Sequence, residues 1–198
     1  MDKINKIYQG LKSFIQIFII KYEYENRGML KKMRIDSRLN MDIDDEKWCE
    51  LFLYKSCFNY CAKFVLLRYL EDYGLSYEKM NSKGLKKWGN FVKNISEKLN
   101  LLYVIVIKDL QADENNKIRK IFKKSDYDVF EIDEELAKVM SEHLSPIDFS
   151  SLKKKDMVLL FRRIYSLEQR EEMKLDEFYK DAPALSYILE LEKAEELL

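Results

Sequence analysis

The sequence predicts an all-α protein, an irregular multi-helix bundle with no substantial sheet. The first observation is that its 198 residues include only five Gly and two Pro, whereas the many turns of a β-sandwich or barrel need more of both. The second is that apolar residues recur at three- and four-residue steps over several long segments, the spacing of one face of a helix. With 47% hydrophobic and 35% charged residues, the composition is that of a folded globule.

The first predicted helix carries apolar residues from Ile4 to Tyr22 and ends at about Gly28, where glycine can cap it. The segment 27–38 that follows is rich in Lys and Arg. It is interpreted as a solvated linker, with a phosphate-facing patch as the alternative.

Asp44 or Asp45 is predicted to cap the next helix, because a carboxylate accepts hydrogen bonds from the free N–H groups at a helix start. The helix has a wide apolar face from Trp48 to Leu70, so it is predicted to be the central helix of the core. Gly74 is expected to end it in a left-handed turn.

Further helices are predicted along the rest of the chain, within 81–99, 117–125, 134–144 and 183–198. The run Leu101–Ile107 has the β-branched content of a strand, but no second strand lies nearby, so it is interpreted as a buried helix. The segment 150–169 is predicted to be a helix capped by Ser150 or Ser151. Its expected buried residues are Leu152, Val158, Leu159, Phe161 and Ile164.

Charge and cysteine content restrict the classes of function. Lys plus Arg number 35 and Asp plus Glu number 35, so no global field draws the molecule to nucleic acid or to a membrane. The apolar run from Phe14 to Ile20 is far shorter than the roughly 20 residues of a membrane span. Cys57 and Cys61, one helical turn apart, are predicted to be buried in a reducing environment, which indicates a cytoplasmic protein.

No self-sufficient active site is recognisable in the sequence. His143 is the single histidine, and it is predicted to lie at a helix end near the terminal carbonyl groups instead of acting as a base. The histidine and cysteine residues lack the spacing of a metal site, and none of the glycines forms a phosphate-binding loop. The sequence therefore predicts a protein that is not an enzyme by itself.

Two basic clusters are candidate phosphate-binding sites. The first, predicted to contact DNA, consists of Lys153, Lys154, Lys155, Arg162 and Arg163. The second consists of Lys117, Arg119, Lys120, Lys123 and Lys124. The alternative for both is an ordinary solvated helix surface.

Two stretches of the chain resemble a known family. Residues 61–75, CAKFVLLRYLEDYGL, are similar to the helix ahead of the catalytic domain in N6-adenine DNA methyltransferases of type IIG restriction-modification enzymes, where an apolar run precedes Arg-Phe-Leu-Glu-Asp and a glycine. The matching positions are Leu67, Arg68, Tyr69, Leu70, Glu71, Asp72 and Gly74. Residues 145–189 resemble the approach to the methyltransferase fold. The matching positions there are Asp148, Phe149, Ser150, Ile164, Tyr165, Phe178, Tyr179 and the helix through Tyr187, Ile188 and Leu189.

The resemblance implies the N-terminal helical part of such an enzyme, since the family's glycine-rich cofactor loop and Asn-Pro-Pro-Tyr motif follow these stretches and have no counterpart in this chain. It divides the chain into a helical domain over 1–180 and a terminal helix over 181–198. Phe178 and Tyr179 would border S-adenosylmethionine, a cofactor expected only if a catalytic partner completes the site. Asp176, Lys180 and Asp181 replace the family's Gly, Thr and Pro. The alternative role for the two aromatic residues is core packing.

These expectations favour a non-catalytic, truncated methyltransferase-like module of a restriction-modification system. Its expected partners are a methyltransferase catalytic polypeptide and the DNA backbone, with no membrane contact. The alternative is a freestanding helical interaction or regulatory protein, such as a restriction antagonist, that docks through its acidic, leucine-rich tail.

Overall fold

The described residues of the computed structural model form an all-α multi-helix bundle, which confirms the predicted class. The structure describes residues 3–25, 27–36, 43–92, 98–164, 171 and 181–190, and within these ranges it contains no strand. The helices are α1 (Lys3–Glu25), α2 (Arg27–Asp36), α3 (Asp45–Asp72), α4 (Ser82–Val92), α5 (Leu99–Gln111), α6 (Asn116–Ile121), α7 (Glu134–Leu144), α8 (Lys154–Ile164) and α9 (Pro183–Glu190).

Helix α3 is the centre of the bundle, as predicted. Every residue from Lys55 to Glu71 is buried, which is the pattern of a helix covered on all sides. Helices α1, α2, α7 and α9 all pack against it. Asp44 is the N-cap, accepting a hydrogen bond from Lys47 N at 2.8 Å. Gly74, with φ of +71°, makes the predicted left-handed turn after the helix.

The prediction of a linker over 27–38 is wrong for its described part, which forms helix α2 and includes Gly28. Helix α1 accordingly ends at Glu25, before that glycine. Two tertiary contacts explain the helix. Leu30 is buried in the core, and Arg34 donates hydrogen bonds to the Asp45 carboxylate, at 2.6 Å, and to the Ile43 carbonyl group.

The interpretation of Leu101–Ile107 as a helix is confirmed, because it lies within α5. Leu99, predicted as part of the preceding helix, begins α5 instead. The expectation that the whole run is buried is wrong. Its inner residues Leu102, Tyr103 and Val106 are buried, whereas its outer face is exposed to solvent.

Helix α8 begins four residues later than predicted, so neither serine caps it. The N–H and hydroxyl groups of Ser150 both donate to the Asp148 carboxylate, while Asp156 accepts a hydrogen bond from Lys153 N at 2.9 Å at the helix start. Leu159 was expected in the core, but it is 55% exposed because the buried side of α8 is formed by other residues. These buried residues are Met157, Val158, Leu160 and Phe161.

A buried polar network fixes the segment between α6 and α7 onto α3. Lys63 Nζ lies 2.6 Å from both carboxylate oxygens of Asp128, which also accepts hydrogen bonds from the Asn59 amide at 2.8 Å and from Ser125 N at 2.7 Å. Tyr60 donates to the Phe130 carbonyl oxygen at 2.6 Å. Burial lowers the pKa of Lys63, while the Asp128 carboxylate opposes that shift.

Candidate functional site

The two stretches that carry the family resemblance are in direct contact. Arg68, near the end of α3, donates a hydrogen bond to the Ile147 carbonyl oxygen at 3.1 Å, and its guanidinium lies 5.2 Å from the centre of the Phe149 ring. Asp72 accepts a hydrogen bond from Phe149 N at 2.9 Å, across 77 residues of sequence. The structure therefore joins Arg68 and Asp72 of the first stretch to Phe149 of the second.

Glu71, an acidic residue of the first stretch, holds the loop that contains Lys79 and Met80. Glu71 Oε1 accepts hydrogen bonds from the backbone N–H groups of Lys79 and Met80, at 3.0 and 2.8 Å, and its other oxygen accepts one from Arg68 at 2.8 Å. Burial raises the pKa of the Glu71 carboxyl group, while the two N–H groups and Arg68 oppose the shift. Arg68, Glu71 and Asp72, which we call the Arg68 network, thus tie α3 to both flanking loops.

The Arg68 network is a structural element and not an open binding site. An open cleft of about 530 Å³ lies beside it, between the loops around Ser82 and Ser145. The guanidinium has five N–H donors, and each has an acceptor among Glu71, Asp72 and the Leu144 and Ile147 carbonyl groups. None remains to bind an anion in the cleft.

Part of the first basic cluster gathers on one exposed face. Lys155, Arg162 and Arg163 are seven and eight residues apart along α8, a spacing that places them on its solvent side. Arg163 reaches the neighbouring helix α1, where it donates to the Asn5 side chain at 2.6 Å and lies 4.3 Å from the Tyr8 ring centre.

The second cation on Tyr8 is Lys12, whose Nζ lies 5.6 Å from the same ring centre. We call the surface formed by Tyr8, Lys12, Lys155, Arg162 and Arg163 the α1–α8 face. The Tyr8 ring holds the charges of Lys12 and Arg163 close to each other, since both cations are attracted to its π-electrons.

Within the described residues of α1 and α8, few carboxylates oppose this charge. Helix α1 has none between Lys3 and Tyr22, and α8 has only Asp156, which caps its own helix. Lys12 and Lys155 make no ion pair with any described residue. The α1–α8 face is therefore a local positive surface on a molecule of zero net charge.

The remaining candidate residues lie elsewhere. Lys154 is half-buried beside α8's core side, and Lys153 precedes the helix. Phe178 and Tyr179, the expected cofactor-bordering pair, lie outside the described residues. The second basic cluster is exposed on and after α6, a helix that packs against α5 and α9.

Sequence reasoning missed Tyr8 and Lys12, which lie on α1 about 150 positions from their α8 neighbours. A weak signal is present, because an aromatic residue and a lysine four residues apart share a helix face. Only the packing of α1 against α8 shows that this pair meets Arg163.

The single histidine and the three cysteines lie where they pack within the fold and form no reactive site. His143 lies in the last turn of α7, as predicted, but its ring makes no hydrogen bond with a described residue and packs where α1 approaches at Gly10. All three cysteines are buried, as expected for Cys57 and Cys61. Burial raises the pKa of the Cys57 thiol well above its ordinary value. Within the described ranges, no group of three His, Cys, Asp or Glu residues could hold a metal ion.

Comparison with protein-family models, curated proteins and solved structures returns no significant match. Across the described part of the chain, no helix has both the length and the apolar character needed to cross a membrane.

Proposed function

We propose that this chain is a non-catalytic helical module, similar to the N-terminal part of an adenine-specific DNA methyltransferase, that acts in the cytoplasm within a restriction-modification system. It packs on a catalytic polypeptide, which supplies the S-adenosylmethionine site, and it contacts the DNA backbone through the α1–α8 face.

The observation that carries the proposal is the contact between the two resembling stretches. Asp72 and Phe149 are joined by a hydrogen bond of 2.9 Å, and Arg68 spans the same junction. Two distant stretches that form one buried unit are expected to occur together, because each satisfies polar groups of the other. This supports a shared fold with the family's N-terminal region.

The α1–α8 face supports the DNA contact. Exposed Arg and Lys side chains bind phosphates without reading sequence, and Lys155, Arg162 and Arg163 are exposed on the same side of α8. The tyrosine ring beside Arg163 also gives the guanidinium a fixed position.

Affinity purification of the tagged chain from its native cell tests the catalytic partner. The expected result is recovery of a polypeptide with the glycine-rich and Asn-Pro-Pro-Tyr motifs, and DNA methylation that needs both chains. Methylation by the purified chain alone would contradict the non-catalytic role, and recovery of the chain without such a polypeptide would contradict the partnership.

Fluorescence anisotropy with a labelled DNA duplex tests the α1–α8 face. We expect the triple variant K155Q/R162Q/R163Q to bind roughly tenfold or more weakly. The slope of log affinity against log salt should fall by about 2.7, since each phosphate contact on duplex DNA contributes about 0.9. The matched control is K117Q/K120Q/K124Q, which removes the same number of exposed charges at α6. Equal losses in the two variants, or a larger loss in the control, would contradict the assignment.

A freestanding interaction protein is the second candidate function, and the exposed apolar side of α5 favours it. Such a protein would be soluble and monodisperse without the catalytic polypeptide, and affinity purification would recover a different binding partner.

A further inference from the structure

Helix α4 is fixed at its first turn, but no other described helix packs closely along its length. Ser82 Oγ donates a hydrogen bond to the Ser145 carbonyl oxygen at the end of α7, at 2.8 Å. The Asn81 side chain accepts one from Gly84 N at 2.9 Å, which caps the start of the helix. Beyond this turn, a pocket of about 300 Å³ lies between α4 and the last turn of α7.

The lining of this pocket, which we call the α4–α7 pocket, is mostly apolar and includes a large aromatic side chain. Its apolar residues are Leu85, Trp88 and Val92 of α4 and Leu99 at the start of α5. The start of α5 is itself anchored to α7, because Leu99 N donates a hydrogen bond to the Glu134 carboxylate at 3.1 Å. A preformed pocket of this size with apolar and aromatic walls is typical of small-molecule sites.

Ser141 of α7 provides a second observation that points to a ligand. It lines the pocket and is only 4% exposed, and its hydroxyl group makes no hydrogen bond with any described residue. Buried polar groups almost always have a hydrogen-bond partner, because leaving one unsatisfied costs free energy. A molecule in the pocket that forms a hydrogen bond with Ser141 recovers this free energy, whereas a purely apolar molecule does not.

Glu142, the next residue of α7, determines the polarity of the ligand. It also lines the pocket, and its one ion pair among the described residues is a long contact of 3.9 Å with Lys138 on the exposed side of the helix. Its negative charge disfavours an anion and favours an N–H or O–H group, whose hydrogen is partially positive. A cation would lose its hydration among the apolar walls, so an uncharged donor fits the pocket best.

We propose that the α4–α7 pocket binds a small, uncharged, planar aromatic molecule that carries one N–H or O–H group. The ring packs against Trp88 and the aliphatic walls, and the polar group donates a hydrogen bond to Ser141 Oγ. A cavity of about 150 Å³ is sufficient for benzene, so the volume of about 300 Å³ has room for a molecule of two fused rings. The inference does not depend on the proposed catalytic partner or on the proposed contact with DNA.

Titration of the ¹⁵N-labelled full chain with indole, followed by two-dimensional NMR, tests the binding. The chain has two tryptophans, and Trp48 is buried in the core, so the side-chain N–H signal of Trp88 should shift while that of Trp48 stays in place. We expect a Kd at or below about 1 mM for this ligand of nine heavy atoms. A Trp88 signal that does not move at about 10 mM indole would overturn the proposal.

A larger side chain at Gly89 tests the location of the site. Gly89 lines the pocket, and a Cβ atom added there meets no atom within 4 Å. Gly89→Leu should therefore occupy the pocket without a backbone clash and weaken indole binding at least about tenfold. The matched control is Gly28→Leu in α2, where an added Cβ also meets no atom within 4 Å, and it should leave the affinity unchanged. Far-UV circular dichroism checks that both variants fold, and equal affinities of the two variants would contradict this location.

The hydrogen bond to Ser141 is tested by comparing indole with indene, which has the same bicyclic shape but lacks the N–H group. The wild-type chain should bind indole about fivefold more tightly than indene. Ser141→Ala should weaken indole binding by about the same factor and leave indene binding unchanged, because only the hydroxyl group is removed. A purely structural role of Ser141 would change both affinities together. Equal affinities of the wild-type chain for the two ligands, or a preference for indole that persists in Ser141→Ala, would overturn the proposal.

Discussion

Replacing Arg68 with methionine is the most direct test of the Arg68 network. Methionine keeps much of the length and apolar volume of the side chain, while the charge and all five N–H donors are lost. The change leaves two carboxylates without their cation. Glu71 has a side chain that is 0% exposed, and that of Asp72 is 11% exposed.

The expected loss follows from that burial. Removing one partner of a buried ion pair costs about 3 to 5 kcal/mol, since the other charge stays desolvated. Both carboxylates keep other donors, because Glu71 retains the N–H groups of Lys79 and Met80, and Asp72 retains that of Phe149. We therefore expect the lower end of the range, a loss of about 3 kcal/mol in the free energy of unfolding.

Chemical denaturation followed by circular dichroism measures this loss. The matched control is Arg162→Met, the same change at an exposed position of α8, which should alter the free energy of unfolding by less than about 0.5 kcal/mol. A loss below about 1 kcal/mol for Arg68→Met would refute the reasoning, because it would mean that the network contributes no more than a surface contact.

The loss should also depend on pH in a defined direction. The pKa of Glu71 is raised by burial, and Arg68 is one of the groups that limit the rise. Without Arg68 the pKa rises further. A carboxyl group with a raised folded pKa stabilises the protein below its unfolded pKa, and this contribution is lost as pH rises through the folded pKa. The destabilisation by Arg68→Met should therefore be smaller at pH 5 than at pH 8.

Two further pairs of variants test the buried ion pair of Lys63 on α3 and the packing of α4. Lys63→Met should lower the free energy of unfolding by about 3 kcal/mol, since it leaves Asp128 buried without its cation, and Lys63→Met/Asp128→Asn should recover about 1 kcal/mol of that loss by neutralising the remaining charge. Denaturant titration measures both. Gly84→Ala should cost about 2 kcal/mol or more in thermal or chemical unfolding, because its added Cβ would lie 2.3 Å from the Lys79 backbone. Gly89→Ala in the same helix meets no atom within 4 Å and should instead stabilise by about 0.5 to 1 kcal/mol; equal effects of the two alanines would contradict this account.

Local patterns were sufficient to predict much of the fold. The apolar face of α3 predicted its central position, and Asp44 and Gly74 predicted its ends, because capping depends on residues close in sequence. The helical state of α5 followed from the absence of a partner strand. The predictions for α3 rest on short-range rules, whereas the prediction for α5 rests on the lack of a second strand with which it could pair.

The errors arise where distant contacts decide the outcome. Helix α2 has one fully buried apolar anchor, Leu30, and a basic solvent side, so its sequence alone resembles a linker. The incomplete prediction of the α1–α8 face has the same cause. Three of its residues were predicted from the basic cluster, whereas Tyr8 and Lys12 join it only because α1 packs against α8.

The Arg68 network also determines what the family resemblance can support. Residues that are buried, paired and hydrogen-bonded specify how helices and loops fit together. Arg68 and Asp72 are of this kind, and so are the Ile147 carbonyl group that accepts from Arg68 and the Phe149 N–H group that donates to Asp72. A likeness based on these positions is therefore an argument for a shared fold. The proposed contact with DNA depends instead on exposed charges such as Lys155 and Arg162, which no part of the network specifies. The stability of Arg68→Met and the salt dependence of the α8 variants consequently test two separate claims, and either can fail without the other.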